Sequence, residues 1–481
     1  MKINPGRILS ATLLTLLVVS GCELITPPSA RNYIDILTEN IKYTTDIAPI
    51  FEAKCVQCHT GTDAAQGLRM DSWENLVAGS DHGNAVIAFD GDNSLLVNMT
   101  TKLVGGPHPF ELSSDTLRQD ELAFIKRWID AGAFFDDGTV PYEDATQLLY
   151  VPNQNDAQIS IIDAESKTVI RNVDLVELRP ELFSINGRPH HVAADPDGER
   201  WYVSLIGDNK VVEFANGDKI RPLLEAGRLV DFETPGILAI NSVKDEVYAG
   251  RSLTAVMPPQ SVGAITQADG ALREIDVFFS RPHAMAVDPS GDFVHTGSLN
   301  ENRIMTIDTN TDEVTFTLLA APFHSIVQFA ISADGERMVA TGQSSNQVVI
   351  LDSSSPPGIN RIGAIEVGSQ PWHPVWTPDG SRVYVGNLND NSVSVLDMNN
   401  FTVLQTITGP GLAQPHGASI SPDGDFVFIS NRNTDGSYTP RYDFGTNQDK
   451  GTVVVINTST NEIEKVIEVG RFPAGLSTIV P

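Results

Sequence analysis

The last two thirds of the chain repeats itself, and this constrains the fold more than any other feature. Five stretches share one template: "PHHVAADPDGERWYVSLIGDNKVVEF", "PHAMAVDPSGDFVHTGSLNENRIMTID", "QFAISADGERMVATGQSSNQVVILD", "PVWTPDGSRVYVGNLNDNSVSVLD" and "PHGASISPDGDFVFISN". Each has a short apolar strand, a turn ending in Gly, a second strand and, in the longer copies, a polar loop and a third strand. Period-two alternation bounded by Gly, Asn and Asp marks antiparallel hairpins. A period of roughly 40–50 residues is that of propeller blades, each a twisted four-stranded sheet. Copies begin near Pro189, Pro235, Pro282, Pro322, Pro371 and Pro415. A seventh is split. The array starts at "QLLYVPNQNDAQISIID" without a first strand and ends on "RFPAGLSTIVP", a first strand with nothing after it. Joining the two closes a ring of seven and removes its free sheet edges. Residues 147–481 are therefore expected to form an all-β seven-bladed propeller.

"YVPN" at 150–153, "YVSL" at 202–205 and "YVGN" at 384–387 resemble the YVTN-type β-propeller family. The resemblance spans the whole array and implies the fold but no activity. Two stretches exceed the template, 251–270 and 431–451, and are expected to cover a face or touch a partner. Asp163, Asp308, Asp352 and Asp397 close equivalent strands and are expected to be turn residues. Ser-His-Asp order, a phosphate loop and a dinucleotide fingerprint are all missing from the sequence.

The first third holds a different signal. The chain has three cysteines, and two of them sit in "CVQCH", as Cys55 and Cys58 followed by His59. Two thiols at this spacing can add to the two vinyl groups of one haem, with the adjacent histidine as proximal iron ligand. A thioredoxin-like dithiol needs a βαβ setting, and a zinc site needs further cysteines or spaced histidines nearby. Neither is in the sequence. "TTDIAPIFEAKC" predicts a short helix capped by Thr44 or Thr45, with Ile47, Ile50 and Phe51 on one face. "LRQDELAFIKRWIDAGA" predicts an amphipathic helix with Leu122, Ile125, Trp128 and Ile129 on its apolar face and Gly132 as its stop.

The segments "CVQCH", "GLRMDSWENLVAGS", "DGDNSLLVNM" and "DELAFIKRWIDAGA" resemble the cytochrome c domains of planctomycete and related bacterial surface proteins. The resemblance covers about a hundred residues, and residues 41–140 are expected to form a small all-α cytochrome c domain. It implies one covalent haem c on Cys55, Cys58 and His59. That family places a methionine, as the sixth ligand, shortly before the last helix; here the stretch reads "GGPHPFELSS". His108 takes the corresponding place and is the favoured sixth ligand, with Met99 as the alternative. Met70 falls at an apolar core position and His82 in a surface loop. Ligation by two histidines would lower the haem potential relative to His/Met.

The N-terminus has Lys2 and Arg7, then an apolar stretch from Ile8 to Val19 that is short for a bilayer span. "VSGC" at 19–22 resembles the lipobox of bacterial lipoproteins. This implies a signal peptide over 1–21, lipidation of Cys22 and a tether over 22–40. The expected place is the cell envelope, with the outer membrane favoured and a lipid anchor as the only membrane contact. The formal charge of −29 argues against nucleic acid as a partner.

Of ten histidines, seven lie in the repeat array, and six of these fall at or near the start of a blade's first strand: His190, His191, His283, His324, His373 and His416. The innermost strand of each blade lines the central channel. Imidazoles meeting there suit copper or another late transition metal. Such a site would resemble the multi-copper centres of nitrous oxide reductase and propeller-type thiocyanate dehydrogenase. Against this, Pro-His-Gly is a frequent opening of YVTN-type repeats, and neighbouring strand residues face opposite ways. Two functional classes follow, and a third, a lactonase-like or hydrolytic propeller, has fold analogy as its only support. One is an electron-transfer protein whose haem serves a periplasmic redox protein or a propeller metal centre acting on a small-molecule substrate. The other is a protein- or glycan-binding propeller with the haem as relay or sensor.

Overall fold

The structure, a computed structural model, describes residues 41–101, 117–215, 223–252, 260–442, 444–445 and 447–478. Cys22 and His108 lie outside them. No helix among the described residues is long and apolar enough to cross a membrane.

The N-terminal domain is helical. A π-helical turn, Tyr43–Ile47, leads into α1, Ala48–Lys54. Short helices α2, Trp73–Val77, and α3, Leu95–Thr101, precede α4, Gln119–Ala131. The apolar face expected of α4 is buried at Leu122, Ile125, Trp128 and Ile129, and Gly132 ends the helix with φ 131°. Ile47 and Phe51 meet this face. Tyr43 and Trp128 approach at 5.7 Å between ring centres, and Lys54 pairs with Glu121 at 3.6 Å. The first and last helices thus share one core. Thr44 and Thr45 do not cap α1. The hydroxyl of Thr44 instead donates to Asp136, which ties the first turn to the end of the domain. Met70 is core.

The remainder is a ring of seven four-stranded antiparallel sheets. Three strands, Leu148–Asn153, Gln158–Asp163 and Thr168–Asp174, form the split blade, and Ser477–Thr478 pairs with Leu149 and Tyr150 to complete it. The inner strands of the other blades are Pro189–Ala194, Pro235–Asn241, Pro282–Val287, Ile326–Ile331, Pro371–Trp376 and Pro415–Ile420. The residue ahead of each inner strand has positive φ: Arg188, Thr234, Arg281, Ser325, Gln370, Gln414 and, before the closing segment, Phe472. Each blade therefore turns into the channel through the same backbone device. Pro322 does not start a blade; that strand begins at Ile326. The stretch 251–270 is only in part an insertion, since Ser261–Thr266 is a strand of its blade. Asp163, Asp308, Asp352 and Asp397 accept backbone N–H bonds two or three residues on, as turn residues do.

The helical domain docks on the split blade. Ile87 is buried among Leu149, Ile162 and Val455. Asn84 Nδ2 donates to the Val169 carbonyl at 2.9 Å, Asn172 Nδ2 to Asp90 at 2.8 Å and Arg171 to the Pro141 carbonyl at 2.7 Å. These contacts cover the blade's outer strand, which would otherwise be a free edge.

Candidate functional site

Cys55, Cys58 and His59 occupy one helical turn just past α1. The Cys55 carbonyl accepts from the amides of Cys58 and His59, both at 3.1 Å. Positions i, i+3 and i+4 share a face, so both sulfurs and the imidazole present together. No disulfide joins the two cysteines; Cys58 is exposed and Cys55 half-buried. Burial pushes the Cys55 thiol up to about 11, which opposes a reactive thiolate in disulfide exchange. His59 is buried, with Nδ1 on the Leu68 carbonyl at 3.1 Å. That bond fixes the tautomer in which Nε2 is the ligating nitrogen, as ring-nitrogen partners do for metal-bound histidines. The donor set fits covalent haem. Met99 lies half-buried on α3.

In the propeller, five of the six histidines converge. Ring centres of His190 lie 6.1 Å from His283 and 5.7 Å from His416. His373 lies 5.0 Å from His416 and 5.7 Å from His191. Strict alternation would have turned His191 and His373 away from the other three. It is broken because each complete inner strand carries a register shift at this level, between Pro189 and His191, Pro282 and Ala284, Pro371 and Pro374, and Pro415 and Ala418 among them. A bulge re-aims side chains, so both positions after the proline reach the channel.

His324 is the exception and does not join the cluster. It precedes its strand, and its ring contacts Ser345 Oγ at 2.9 Å and the Ala320 carbonyl at 3.2 Å. The position facing the channel in that blade is Val327, whose carbonyl takes His283 Nδ1 at 2.7 Å. His190 Nδ1 meets Gln154 Oε1 at 3.1 Å. With Nδ1 donating, Nε2 of both rings carries a lone pair. The Nε2 atoms of His190, His283, His373 and His416 are buried without a hydrogen-bond partner. His191 differs: its Nδ1 accepts the Leu238 amide at 3.3 Å, which places its proton on Nε2. Burial holds all five rings neutral, His283 down to about 4 and His191 to about 3, and the others well below the usual histidine value. As they stand, no group of three or more His, Cys, Asp or Glu side chains among the described residues is arranged to hold a metal ion.

Sequence reasoning missed two further features. Arg432, just past the strand Phe426–Asn431, lies against Trp372 at 4.3 Å and Phe472 at 4.7 Å from the ring centres. His82, expected in a surface loop, meets Tyr442 of the 431–451 insertion at 5.9 Å and contacts Gln66, in the turn after the CVQCH segment. The insertion therefore reaches from the channel mouth to the helical domain. A cleft of about 480 Å³ opens between the domains there, lined by His82, Asn84, Lys167, Tyr442 and Lys465 among others.

Residues 55–105 match the family Planctomycete cytochrome C, and residues 357–466 match the family Lactonase, 7-bladed beta-propeller. No curated protein matches the sequence. Among solved structures, a functionally unknown protein from Desulfotomaculum acetoxidans is similar at 13% identity and TM-score 0.55, over 70% of this chain and 100% of its own. A periplasmic gluconolactonase from Pseudomonas aeruginosa is similar at 16% identity and TM-score 0.53, over 70% and 100%. A protein from Lactobacillus plantarum is similar at 15% identity and TM-score 0.53, over 69% and 99%. These likenesses show the fold. The chain joins a domain resembling planctomycete cytochrome c to a seven-bladed β-propeller.

Proposed function

We propose that the chain is an exported, lipid-anchored electron-transfer protein carrying one haem c, with a transition-metal centre in its propeller. The observation that carries the electron-transfer reading is the single helical turn presenting Cys55, Cys58 and a His59 whose Nδ1 is already engaged. When bound, the haem supplies a one-electron couple. The chain's own part is to orient His59 through Leu68, to pack the turn on the α1–α4 core and to dock the domain beside the propeller. A lipid on Cys22 would keep the assembly at the envelope, within reach of a periplasmic redox partner.

The second half of the proposal rests on the four orphaned Nε2 atoms. Buried polar atoms without partners are rare, and His190 and His283, neutral imidazoles with Nδ1 held by an amide and a carbonyl oxygen, are poised as metal ligands, while His416 has both ring nitrogens unpartnered. His190, His283, His416 and His373 would hold the metal after small ring rotations, and copper suits an all-imidazole donor set. The gluconolactonase likeness points to a lactonase-like propeller instead. The cluster's lack of any carboxylate and the haem on the same chain favour the redox reading.

Protein made in a host that matures c-type haem is expected to keep its haem through acid–acetone extraction, and Cys55→Ser with Cys58→Ser to lose it. Copper loaded onto the full chain is expected to fall at least tenfold in affinity in His283→Ala or His416→Ala. His191→Ala and His324→Ala should retain it. Extractable haem sinks the first half. Copper binding that ignores His283 and His416, or lactone hydrolysis by metal-free protein, sinks the second.

A further inference from the structure

Among the described residues, nothing balances the positive charge that Arg432 places at the channel mouth. The Arg432 guanidinium makes no ion pair and no side-chain hydrogen bond among the described residues, and its Nε is buried without a partner. Trp372 and Phe472 sit close against it, the arrangement of a stacked guanidinium, which leaves the rim of N–H donors for a ligand. Trp372 is also in ring contact with His416, at 4.2 Å between centres, so the guanidinium stands next to the imidazole cluster. Phe472 is tied to the same region, because its carbonyl accepts the Gln154 amide at 2.9 Å and Gln154 in turn holds His190.

The local electrostatics are one-sided. Burial alone draws Arg432 down to about 9, with no carboxylate acting on it. Its charge in turn depresses His190, His283, His373 and His416, where burial is the larger cause. Arg432 is half-buried, and a cation held partly out of water without a counter-charge is costly. Here the unpaired guanidinium stands beside five unpaired imidazole nitrogens on four rings, two of them on His416.

We propose that this mouth is a binding site for a small anion, taken edge-on by the Arg432 guanidinium beside the buried imidazoles. The chemistry that fits is a compact monoanion with two coplanar oxygens, such as a carboxylate or a nitrogen oxyanion, because a guanidinium edge offers two parallel N–H donors. The inference rests on the imidazole cluster being the propeller's working centre, and names the class of ligand that centre takes. A bound metal would add further positive charge, so metal and anion should reinforce each other's binding, by the same factor in both directions.

The test is calorimetric titration of the haem-containing full chain with sodium formate, first chelator-treated and then copper-loaded. Saturable formate binding is expected in both states, tighter with copper, and at least tenfold weaker in Arg432→Gln whose haem spectrum and thermal transition match the parent. If that variant folds poorly, Arg432→Lys decides. It keeps the charge and loses the fork, so a several-fold preference for formate over chloride should vanish. Absence of saturable formate binding in the parent overturns the proposal, as does an undiminished affinity in Arg432→Gln or an undiminished preference in Arg432→Lys. Copper without formate removes the anion site and leaves the metal reading standing. Formate without copper does the reverse.

Discussion

At the scale of single residues, the chemistry lies in which ring nitrogens are occupied. His190 and His283 give Nδ1 to an oxygen, His191 accepts a backbone amide, and His324 spends both nitrogens on Ser345 and Ala320. Sequence gave the six positions but not this division, which depends on bulges and on neighbours brought in by other blades. His295 makes a separate case. It is fully buried in a middle strand, with Nδ1 at 3.0 Å from Thr306 Oγ1 and Nε2 unpartnered. Burial lowers it to about 4. Between about pH 4 and 6.5 the unfolded chain therefore binds a proton at this site that the folded chain refuses, and stability rises with pH across that window. The contribution is full above pH 6.5 and is lost as the pH falls toward 4. His295→Leu should flatten the pH dependence of the propeller's unfolding free energy there by about one proton, roughly 1.4 kcal/mol per pH unit. Urea unfolding at pH 7 and pH 4.5 measures this, and an unchanged slope would show that His295 protonates in the folded state.

At the scale of elements, the closing segment is where the ring is most exposed to a single change. Among the described residues its strand pairs at Leu149 and Tyr150 alone, but the residues before it are bonded to two blades. The Ala474 amide donates to the Pro152 carbonyl at 2.9 Å, the Gly475 amide to the His190 carbonyl at 2.8 Å, and the Val192 amide to the Gly475 carbonyl at 3.0 Å. A Cβ on Gly475 would come within 2.3 Å of His191 Cδ2 and 3.0 Å of His373 Cε1. Gly475→Val must therefore push the closing segment off the imidazole cluster. Overpacking of this kind costs typically 1–3 kcal/mol. The melting temperature should drop by a few degrees and carboxypeptidase should trim the C-terminus faster; a parent-like melting curve with parent-like trimming would mean the segment does not latch the ring. The split blade itself was legible, because a strand missing at one end of the array and left over at the other is a statement about topology. Blade starts were less so. Pro322 carries the same Pro-x-His spelling as true starts, yet its strand begins four residues later, since local sequence does not set where a strand first finds its partner. Ser261–Thr266 hid in an apparent insertion for the complementary reason: extra sequence before it shifted the spacing on which the repeat was judged.

At the scale of the whole molecule, two domains that sequence could only place in series turn out to be docked. The contacts are single side chains such as Asn84, Asn172 and Ile87, which carry no motif, and the 431–451 insertion completes them by bringing Tyr442 to His82. This brings the helical domain, the insertion and the channel mouth into one continuous surface. Its long-range field is set by the formal charge of −29, against which Arg432 is a local exception. A field of that sign should govern encounter rates with charged electron acceptors far more than their contact geometry does. Oxidation of the dithionite-reduced holoprotein, followed by stopped flow, provides the check. With tris(phenanthroline)cobalt(III), a cation, the second-order rate constant should fall as ionic strength rises from 10 to 200 mM. With ferricyanide, an anion, it should rise over the same range, because the screening length shrinks from about 30 Å to under 10 Å. A natural partner would then be a basic redox protein. Rates that stayed flat for both reagents, or a ferricyanide rate that fell with salt, would place the point of electron exit under a locally positive patch, such as the lysines and arginines of the interdomain cleft, and would call for an acidic partner instead.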